Sequence, residues 1–196
     1  MMHRTSDQGG PAPRPWVAAA LVHHPVLDAQ GAEIAATCHP LDLLDAGRLS
    51  LAYPLARFYI VQPLAAQRDL ARRLIAHADA DAPDRDVALR GHLSKLVLVE
   101  SLAEALADAR EQTGRPVSTF ATTARPDPSA IGWPEGRAQI AAGTPVLVLF
   151  GKAAGLSGAV LAAAEARLAP ISGGTGFDHL PVRAAMAIAL DRLLGL

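Results

Sequence analysis

One apolar run that ends in a glycine-containing loop constrains the fold of this chain more than any other stretch. Residues 146–150 are five apolar residues in succession, mostly branched, as in a strand that is covered on both faces of a parallel sheet. Gly151 ends the run, and Ser157 can cap a helix that follows. Parallel α/β sheets bind ligands beyond the carboxyl ends of their strands, where glycines let backbone amides approach a ligand. The stretch therefore predicts a small-ligand site, with a tight turn that binds nothing as the alternative.

This loop matches none of the three common glycine motifs. A phosphate-binding P-loop needs GxxxxGK[ST], whereas Lys152 directly follows the first glycine here. A dinucleotide-binding fingerprint needs GxGxxG, and Gly151 and Gly155 give GxxxG instead. The segment from Gly155 to Gly158 is one residue short of the hydrolase motif GxSxG. The loop therefore does not identify its ligand.

Alternation of strand-like and helix-like segments predicts one α/β domain. Strands are expected at residues 17–23, 58–61, 96–99, 117–121 and 146–150. Helices are expected at about 37–53, 65–78, 101–113, 135–142 and 157–166 and from Pro181 onward, with residues 79–86 as a polar connection. Such alternation indicates a parallel sheet with helices on both faces, a three-layer sandwich. A loop with Asp28 and Gly31 is expected after the first strand, and Ser101 and Gly114 are the expected cap and stop of the third helix. The last helix has an apolar face at helical spacing, formed by Val182, Ala185, Met186, Ala189 and Leu193. We expect residues 1–15 to form a flexible tail and residues 16–196 to form the single domain.

Composition excludes several classes of protein. The net charge of −1 provides no general attraction to nucleic acid, so an RNA contact would need a local basic patch. The single cysteine, Cys38, excludes an intrachain disulfide and suits a reducing cytoplasm. No apolar run approaches the roughly 18 residues of a membrane-spanning helix, and residues 1–15 lack the apolar centre of a signal peptide. A cytoplasmic protein without a membrane partner is expected.

Three loops rich in small residues would meet at one edge of this sheet. They are residues 122–125, 151–155 and 171–180, and they converge if the strand-like segments before them lie side by side. Loops of this kind offer backbone hydrogen bonds and few charges, which suits an uncharged, flat group. The pattern favours an adenosine moiety over a phosphate.

Several ordered motifs resemble a known class of enzymes. The loop FGKAAGLS and the segment PISGG…HLPVRAAMAIALDRLLG resemble the C-terminal motifs of the SPOUT class of S-adenosylmethionine-dependent RNA methyltransferases. A small stand-alone group within that class is also similar in its opening ALVHHPV (residues 20–26), its strand FYIV-P (58–63) and its TSAR-like loop (122–125). The resemblance covers nearly the whole chain after residue 16.

The resemblance implies a fold, a cofactor and partners. It implies a C-terminal trefoil knot, an exception to the usual topology rules, and a homodimer whose interface uses the C-terminal helix. It implies that S-adenosylmethionine binds among the knot loops and that RNA, either tRNA or rRNA, is methylated at a base or ribose. Carried over by position, the cofactor contacts are Thr122, Thr123, Leu149, Gly151, Gly155, Ile171, Leu180 and Val182.

The chain departs from the class pattern where the acceptor chemistry would lie. Many members have an acidic residue in the central loop (G-x-E-G), where this chain has Lys152, Ala153 and Ala154, and some have L-N-V-S where this chain has LPVR. Methyl transfer depends mainly on in-line positioning, and a base is needed only for an acceptor that loses a proton. The candidate catalytic residues are Asp178, His179 and Arg183.

Each of these three candidates has a structural alternative. Asp178 could be a base or a helix-start residue that interacts with the helix dipole. His179 could be catalytic, although a structural hydrogen bond is the more frequent role of such a histidine. Arg183 could contact the substrate or the partner subunit, or could form a surface salt bridge.

Two further residue groups invite functional interpretation but favour a structural one. His23, His24, Cys38 and His39 contain no HxxxH or CxxC pair, and adjacent strand residues point to opposite faces, so no metal site is expected. The arginines at 68, 72 and 73 favour a solvated helix face over phosphate contacts.

Two other functions remain open for the whole protein. One is a cofactor-binding scaffold of the same fold without activity, and the other is an unknotted flavodoxin-like protein that binds another small ligand.

Overall fold

The computed structural model describes residues 14–80 and 91–195. Its strands are β1 (Val17–Val22), β2 (Val26–Leu27), β3 (Glu33–Ile34), β4 (Phe58–Val61), β5 (Leu96–Val99), β6 (Ser118–Ala121), β7 (Val146–Gly151) and β8 (Ala166–Arg167). Its helices are α1 (Pro40–Ala52), α2 (Ala65–Ala80), α3 (Leu102–Thr113), α4 (Trp133–Ala141), α5 (Gly158–Ala163) and α6 (Val182–Leu194). The predicted tail lies outside the described residues except for residues 14 and 15. No helix in the described ranges is long and apolar enough to span a membrane.

Six parallel strands form the central sheet in the order β5-β4-β1-β7-β6-β8. Strand β1 lies between β4 and β7, and all six of its residues are buried. Its side chains alternate between two cores, with Leu21 in one and Val22 in the other. Helices α1, α4 and α6 contribute to the first core, whereas α3 and α5 contribute to the second. The predicted parallel sheet with helices on both faces is confirmed.

Two local predictions were wrong. The helix expected at 157–166 ends at Ala163, and β8 begins at Ala166. The edge of the sheet explains the change, because β6 pairs with β8 and Leu168 N–H donates to the Ala121 carbonyl over 2.9 Å. These tertiary hydrogen bonds outweigh the helix propensity of alanine. The stretch after β1, expected as a loop, contains the antiparallel pair β2–β3.

The C-terminal helix α6 is integrated into the first core. Met186, Ala189, Leu190 and Leu193 are its buried residues. Helix α4 packs closely against it at Gly136, where an added Cβ would lie 3.1 Å from Leu193 Cδ2. Val182 and Ala185, which belong to the same predicted apolar face, line a cavity instead. The face therefore has two roles, since one part fills the core and the other forms a wall of the cavity.

Some boundaries differ by a few residues. Helix α2 extends to Ala80, so it includes the start of the polar connection predicted at 79–86, and residues 81–86 of that connection lie outside the described part of the chain. Pro181 is the N-cap of α6 and not its first helical residue. The predicted cap and stop of α3 are confirmed, because the Ser101 side chain accepts from Glu104 N–H and Gly114 has φ +60°.

Candidate cofactor site

A cavity of about 950 Å³ opens beyond the carboxyl ends of β6 and β7. Residues from all three predicted loops line it, together with residues from the β2–β3 turn and from α6. The volume lies near the upper end of the usual range for small-molecule sites, about 300–1,000 Å³. The predicted convergence of the three loops is therefore present in the structure.

Seven of the eight residues carried over as cofactor contacts line this cavity: Thr122, Thr123, Gly151, Gly155, Ile171, Leu180 and Val182. The eighth, Leu149, is buried in β7 and does not line it. Its carbonyl oxygen accepts from the Thr122 N–H over 3.0 Å and from Thr122 Oγ1 over 2.8 Å. Leu149 thus holds the first residue of a cavity loop, and any direct contact with a ligand stays a prediction.

The loop after β7 has a tightly constrained backbone. A Cβ at Gly151 would lie 2.4 Å from Leu156 N, so only glycine fits there. Ala153 has φ +52° and Gly155 has φ +106°, and the positive angle is costly for the alanine. A Cβ at Gly155 would meet no atom within 4 Å, so this glycine borders open space. The loop leaves room for a ligand beside its backbone.

The three catalytic candidates lie in different environments. Asp178 and His179 line the cavity, whereas Arg183 does not. The guanidinium of Arg183 reaches α1, where Nη1 lies 2.9 Å from Asp45 Oδ2, and the two side chains are 39% and 30% exposed. The structure therefore brings Asp178 and His179 together and places Arg183 in an ion pair between helices.

Two buried polar atoms of cavity-lining residues have no hydrogen-bond partner among the described residues. They are Asp178 Oδ1, an acceptor, and Trp133 Nε1, a donor. Buried polar atoms in folded proteins are nearly always paired, with protein groups, water or a ligand, so these two atoms are candidates for pairing with a ligand. Trp133 is a residue that sequence reasoning missed, although it is one of only two tryptophans in the chain.

The turn between β2 and β3 also contributes unexpectedly to the cavity wall. Asp28 Oδ1 accepts from Gln30 N–H over 2.9 Å and from Ala32 N–H over 2.8 Å, which shapes the turn. The turn contacts the central loop, since Leu27 N–H donates to Gly155 O and Ala154 N–H donates to Leu27 O. The sequence analysis placed Asp28 and Gly31 in a loop, and these two turn-forming residues were the only sequence feature that could have indicated this part of the cavity wall.

A cluster of polar side chains lies buried beside the central loop. Ligand-type atoms of His23, Cys38 and Asp42 all lie within 4.8 Å of one another. His23 Nδ1 donates to the Val61 carbonyl over 3.2 Å, and His23 Nε2 lies 3.9 Å from Asp42 Oδ2, beyond hydrogen-bond distance. Lys152 Nζ donates to Asp42 Oδ2 over 2.8 Å and so supplies a positive charge to the cluster. The predicted absence of a metal stays a prediction.

Burial and charge set the protonation states in this cluster. Burial raises the pKa of the Cys38 thiol to about 11, with the Asp42 charge acting in the same direction. Burial also opposes ionisation of Asp42, but His23, Lys152 and the His39 N–H outweigh it and hold the Asp42 pKa well below its usual range. The cluster therefore contains a neutral thiol and an ionised carboxylate at neutral pH. His24 and His39 lie outside it, because His24 pairs with Glu33 and His39 caps α1.

Basic side chains near the cavity are few. Arg125 lines the cavity and is exposed. Arg167 Nη1 lies 2.5 Å from Asp127 Oδ2 and ties β8 to the loop after β6. Hydrogen bonds from Ser129 and Arg167 lower the pKa of Asp127 to about 2. Among the arginines of α2, Arg68 donates to Gln62 O, Pro63 O and Glu100. Arg68 thus has a structural role, and with its side chain only 13% exposed the predicted solvated face is wrong for this residue.

Similarity to known proteins identifies the family. A family model described as SAM-dependent RNA methyltransferase matches residues 16–195. The chain belongs to this family of S-adenosylmethionine-dependent RNA methyltransferases. The match covers the domain that contains the cavity, and the resemblance to the SPOUT class is confirmed. The flavodoxin-like alternative is therefore set aside.

Individual relatives agree with this membership. A tRNA (guanine-N(1)-)-methyltransferase of Oleidesulfovibrio alaskensis is 38% identical over 182 residues, which are 90% of this chain and 41% of that protein. An uncharacterized protein of Aquifex aeolicus is 32% identical over 176 residues, 89% of this chain and 86% of that protein. This chain thus spans less than half the length of the named tRNA methyltransferase.

Solved structures support the fold. The SpoU methyltransferase AviRb of Streptomyces viridochromogenes, solved in complex with AdoMet, has a TM-score of 0.56 at 16% identity. The alignment covers 93% of this chain and 58% of AviRb. At this identity the likeness shows the SPOUT-type α/β fold.

The residues of the cavity fit the family's cofactor, S-adenosylmethionine. The cavity has room for a molecule of that size, and its walls are largely backbone and small or apolar side chains. Open space borders Gly155 in the cavity wall. The unpaired Trp133 N–H suits a ligand that carries hydrogen-bond acceptors, as an adenosine moiety does.

Proposed function

We propose that this protein transfers a methyl group from S-adenosylmethionine to RNA, with both the cofactor and the reacting atom of the RNA in the 950 Å³ cavity. The observation that carries the proposal is the convergence of three loops on a cavity whose lining residues include an orphaned donor and an orphaned acceptor. Family membership supplies the reaction class. The guanine-N1 specificity named for the longer relative is not transferred to this chain.

The residues that would hold the cofactor come from four parts of the chain. Thr122 and Thr123 follow β6, the loop after β7 presents its backbone, and Leu180, Val182 and Ala185 belong to the α6 region. Trp133 at the start of α4 provides the remaining wall, and its indole N–H has no hydrogen-bond partner among the described residues. These groups would bind by shape and by neutral hydrogen bonds, which suits an adenosine moiety.

Bound S-adenosylmethionine supplies an electrophilic methyl group, so the protein mainly has to orient the acceptor. We propose Asp178 as the base that takes a proton from the acceptor atom when that atom carries one. Asp178 lines the cavity, and its Oδ1 has no hydrogen-bond partner among the described residues. His179, exposed beside it, is proposed to contact the acceptor nucleotide.

Side chains at the cavity and next to it suit contact with RNA. Phe177 is 72% exposed, and its ring centre lies 6.4 Å from that of His179. Exposed aromatic rings stack on unpaired bases, and the exposed Arg125 at the cavity can meet a phosphate. These groups provide local contacts for RNA, whereas the net charge of −1 gives the protein no overall attraction to it.

We further propose a cytoplasmic homodimer with a C-terminal trefoil knot. Several α6 side chains, among them Ala184 and Ile188, are only partly buried in the single chain, and a partner subunit would cover them. The similarity to SpoU-type structures supports the knotted topology. Sedimentation equilibrium tests the dimer, and a purely monomeric protein at micromolar concentration would refute it.

Methyl transfer from radiolabelled S-adenosylmethionine to total tRNA and rRNA tests the proposed function. The RNA should come from cells that lack the gene, so that the target sites are unmodified. Wild-type protein should label one RNA species. Asp178→Asn should bind the cofactor normally and lose about 10²–10⁴-fold in turnover for an acceptor that loses a proton. Asp69→Asn, an exposed surface change, is the matched control and should be fully active.

Two results would contradict the proposal. Tight cofactor binding without labelling of any RNA would favour the scaffold alternative. Full activity of Asp178→Asn would remove Asp178 as the base while leaving the methyl transfer itself in place.

A further inference from the structure

Lys152 is the one residue of the 151–156 loop that does not line the cavity. Its neighbours Gly151 and residues 153–156 all do. Its side chain instead reaches α1, where Nζ donates to Asp42 Oδ2 over 2.8 Å. The loop is therefore attached to a helix on the other side from the cavity.

The attachment is a buried ion pair. The Asp42 side chain is 2% exposed and the Lys152 side chain 19% exposed. The carboxylate is itself fixed, because Asp42 Oδ2 also accepts from the His39 N–H over 2.9 Å in the capping box of α1. A buried carboxylate that keeps its charge needs such donors, and breaking the pair leaves an uncompensated charge.

The loop holds a conformation that requires support. Ala153, directly after Lys152, has φ +52°, which is unfavourable for a residue with a Cβ. The backbone of Lys152 is fixed on both sides, because its N–H donates to Val22 O and its carbonyl accepts from Gly155 N–H. Strained residues of this kind persist where the surroundings hold them in place. The ion pair with Asp42 is a side-chain contact of the residue directly before Ala153.

We propose that Lys152 is a positioning residue whose ion pair with Asp42 holds the 151–156 loop in the shape that binds S-adenosylmethionine. This inference rests on the proposed function. It assigns a role to the only charged residue of the loop between Gly151 and Gly155. The groups that face the pair are His23, Cys38 and His39.

Three variants and one control separate an effect of Lys152 on the position of the loop from an effect on the stability of the protein. Lys152→Met leaves the buried carboxylate unpaired, so both the melting temperature and the cofactor affinity should fall. Lys152→Met/Asp42→Asn removes both charges and keeps an acceptor for the His39 N–H, so the melting temperature should recover. The affinity should stay at least tenfold below wild type, because the loop is still unattached. Lys152→Arg keeps the charge and should restore part of the affinity.

Lys95→Met is the matched control. Lys95 is the only other lysine of the chain, and its ammonium donates to Ser50 O and Leu55 O away from the cavity. Its loss should lower the melting temperature and leave the affinity for S-adenosylmethionine unchanged.

The kinetics of the double variant Lys152→Met/Asp42→Asn provide a second readout. Its turnover at saturating S-adenosylmethionine should remain near wild type, so the KM for S-adenosylmethionine should rise more than kcat changes.

Isothermal titration with S-adenosylmethionine decides the matter. Wild-type affinity in the well-folded double variant would overturn the inference and leave Lys152 as a stabilising residue only. An equal loss of affinity in Lys95→Met would overturn it too, because any buried lysine would then have the same effect. If wild-type protein bound no S-adenosylmethionine, the proposed function itself would fail, and the inference with it.

Discussion

Replacing Leu190 by alanine tests whether α6 is part of the fold that forms the cavity. Leu190 is fully buried and belongs to the first core together with Phe120, Leu168 and Leu193. The same helix carries Val182 and Ala185 into the cavity wall. A weakened core face of α6 should therefore affect both the stability of the protein and the shape of its cofactor site.

The expected loss of stability follows from the burial. Leu→Ala changes at fully buried sites cost about 2–5 kcal/mol, partly as lost transfer free energy and partly as a residual cavity. Taking about 3 kcal/mol and a shift of roughly 2–4 °C per kcal/mol for a domain of this size, the melting temperature should fall by about 6–12 °C. That loss is a large share of a typical stability of about 5–15 kcal/mol.

Thermal unfolding followed by circular dichroism measures this loss, and Leu70→Ala is the control. Leu70 lies on α2 and is 47% exposed, so the same chemical change should alter stability by no more than about 0.5 kcal/mol. Isothermal titration of the folded Leu190→Ala protein should show weaker cofactor binding than wild type. Equal melting temperatures for the two variants would refute the placement of α6 in the core.

Three further predictions follow from individual contacts. Arg183→Ala should bind S-adenosylmethionine normally and lose at most about 1 kcal/mol of stability, because the Asp45 pair is partly exposed; lost turnover in this variant would give Arg183 a role toward the acceptor. The depressed pKa of Asp42 stabilises the fold above pH about 4, and this contribution is lost as the pH falls toward the folded-state pKa. Urea titrations should therefore show a steeper loss of stability below pH 4 for wild type than for Lys152→Met/Asp42→Asn, and equal slopes would contradict the ion pair. Phe177→Ala should weaken RNA binding by about 1–3 kcal/mol with unchanged cofactor affinity, measured by filter binding, if its ring stacks on a base.

The strands could be predicted from sequence because burial on both faces leaves a local signature. The runs at β1, β4 and β7 are uninterrupted and apolar, and each forms a buried strand. Strand β8 has no such run, since its two residues are Ala166 and Arg167. Its position depends on hydrogen bonds with β6, which is distant in sequence, so its formation could not be inferred locally.

The candidate site also has a part that could be predicted from the sequence and a part that could not. Gly151 and Gly155 mark the central loop by their chemistry, and the loops around it follow from the sheet topology. The partner of Lys152 could not be found from sequence, because Asp42 lies 110 residues away on another element. Trp133 was missed for a similar reason, since it reaches the cavity from α4 and belongs to no glycine loop.

Isothermal titration of S-adenosylmethionine into wild-type protein and Ala185→Leu tests the central claim most directly. Ala185 lines the cavity from α6, so the larger side chain occupies ligand space without disturbing a strained loop. Ala163→Leu on the exposed surface of α5 is the control. We expect one cofactor per chain for wild type and the control, and at least tenfold weaker binding for Ala185→Leu. Unchanged affinity in the folded Ala185→Leu protein would show that the cofactor binds elsewhere.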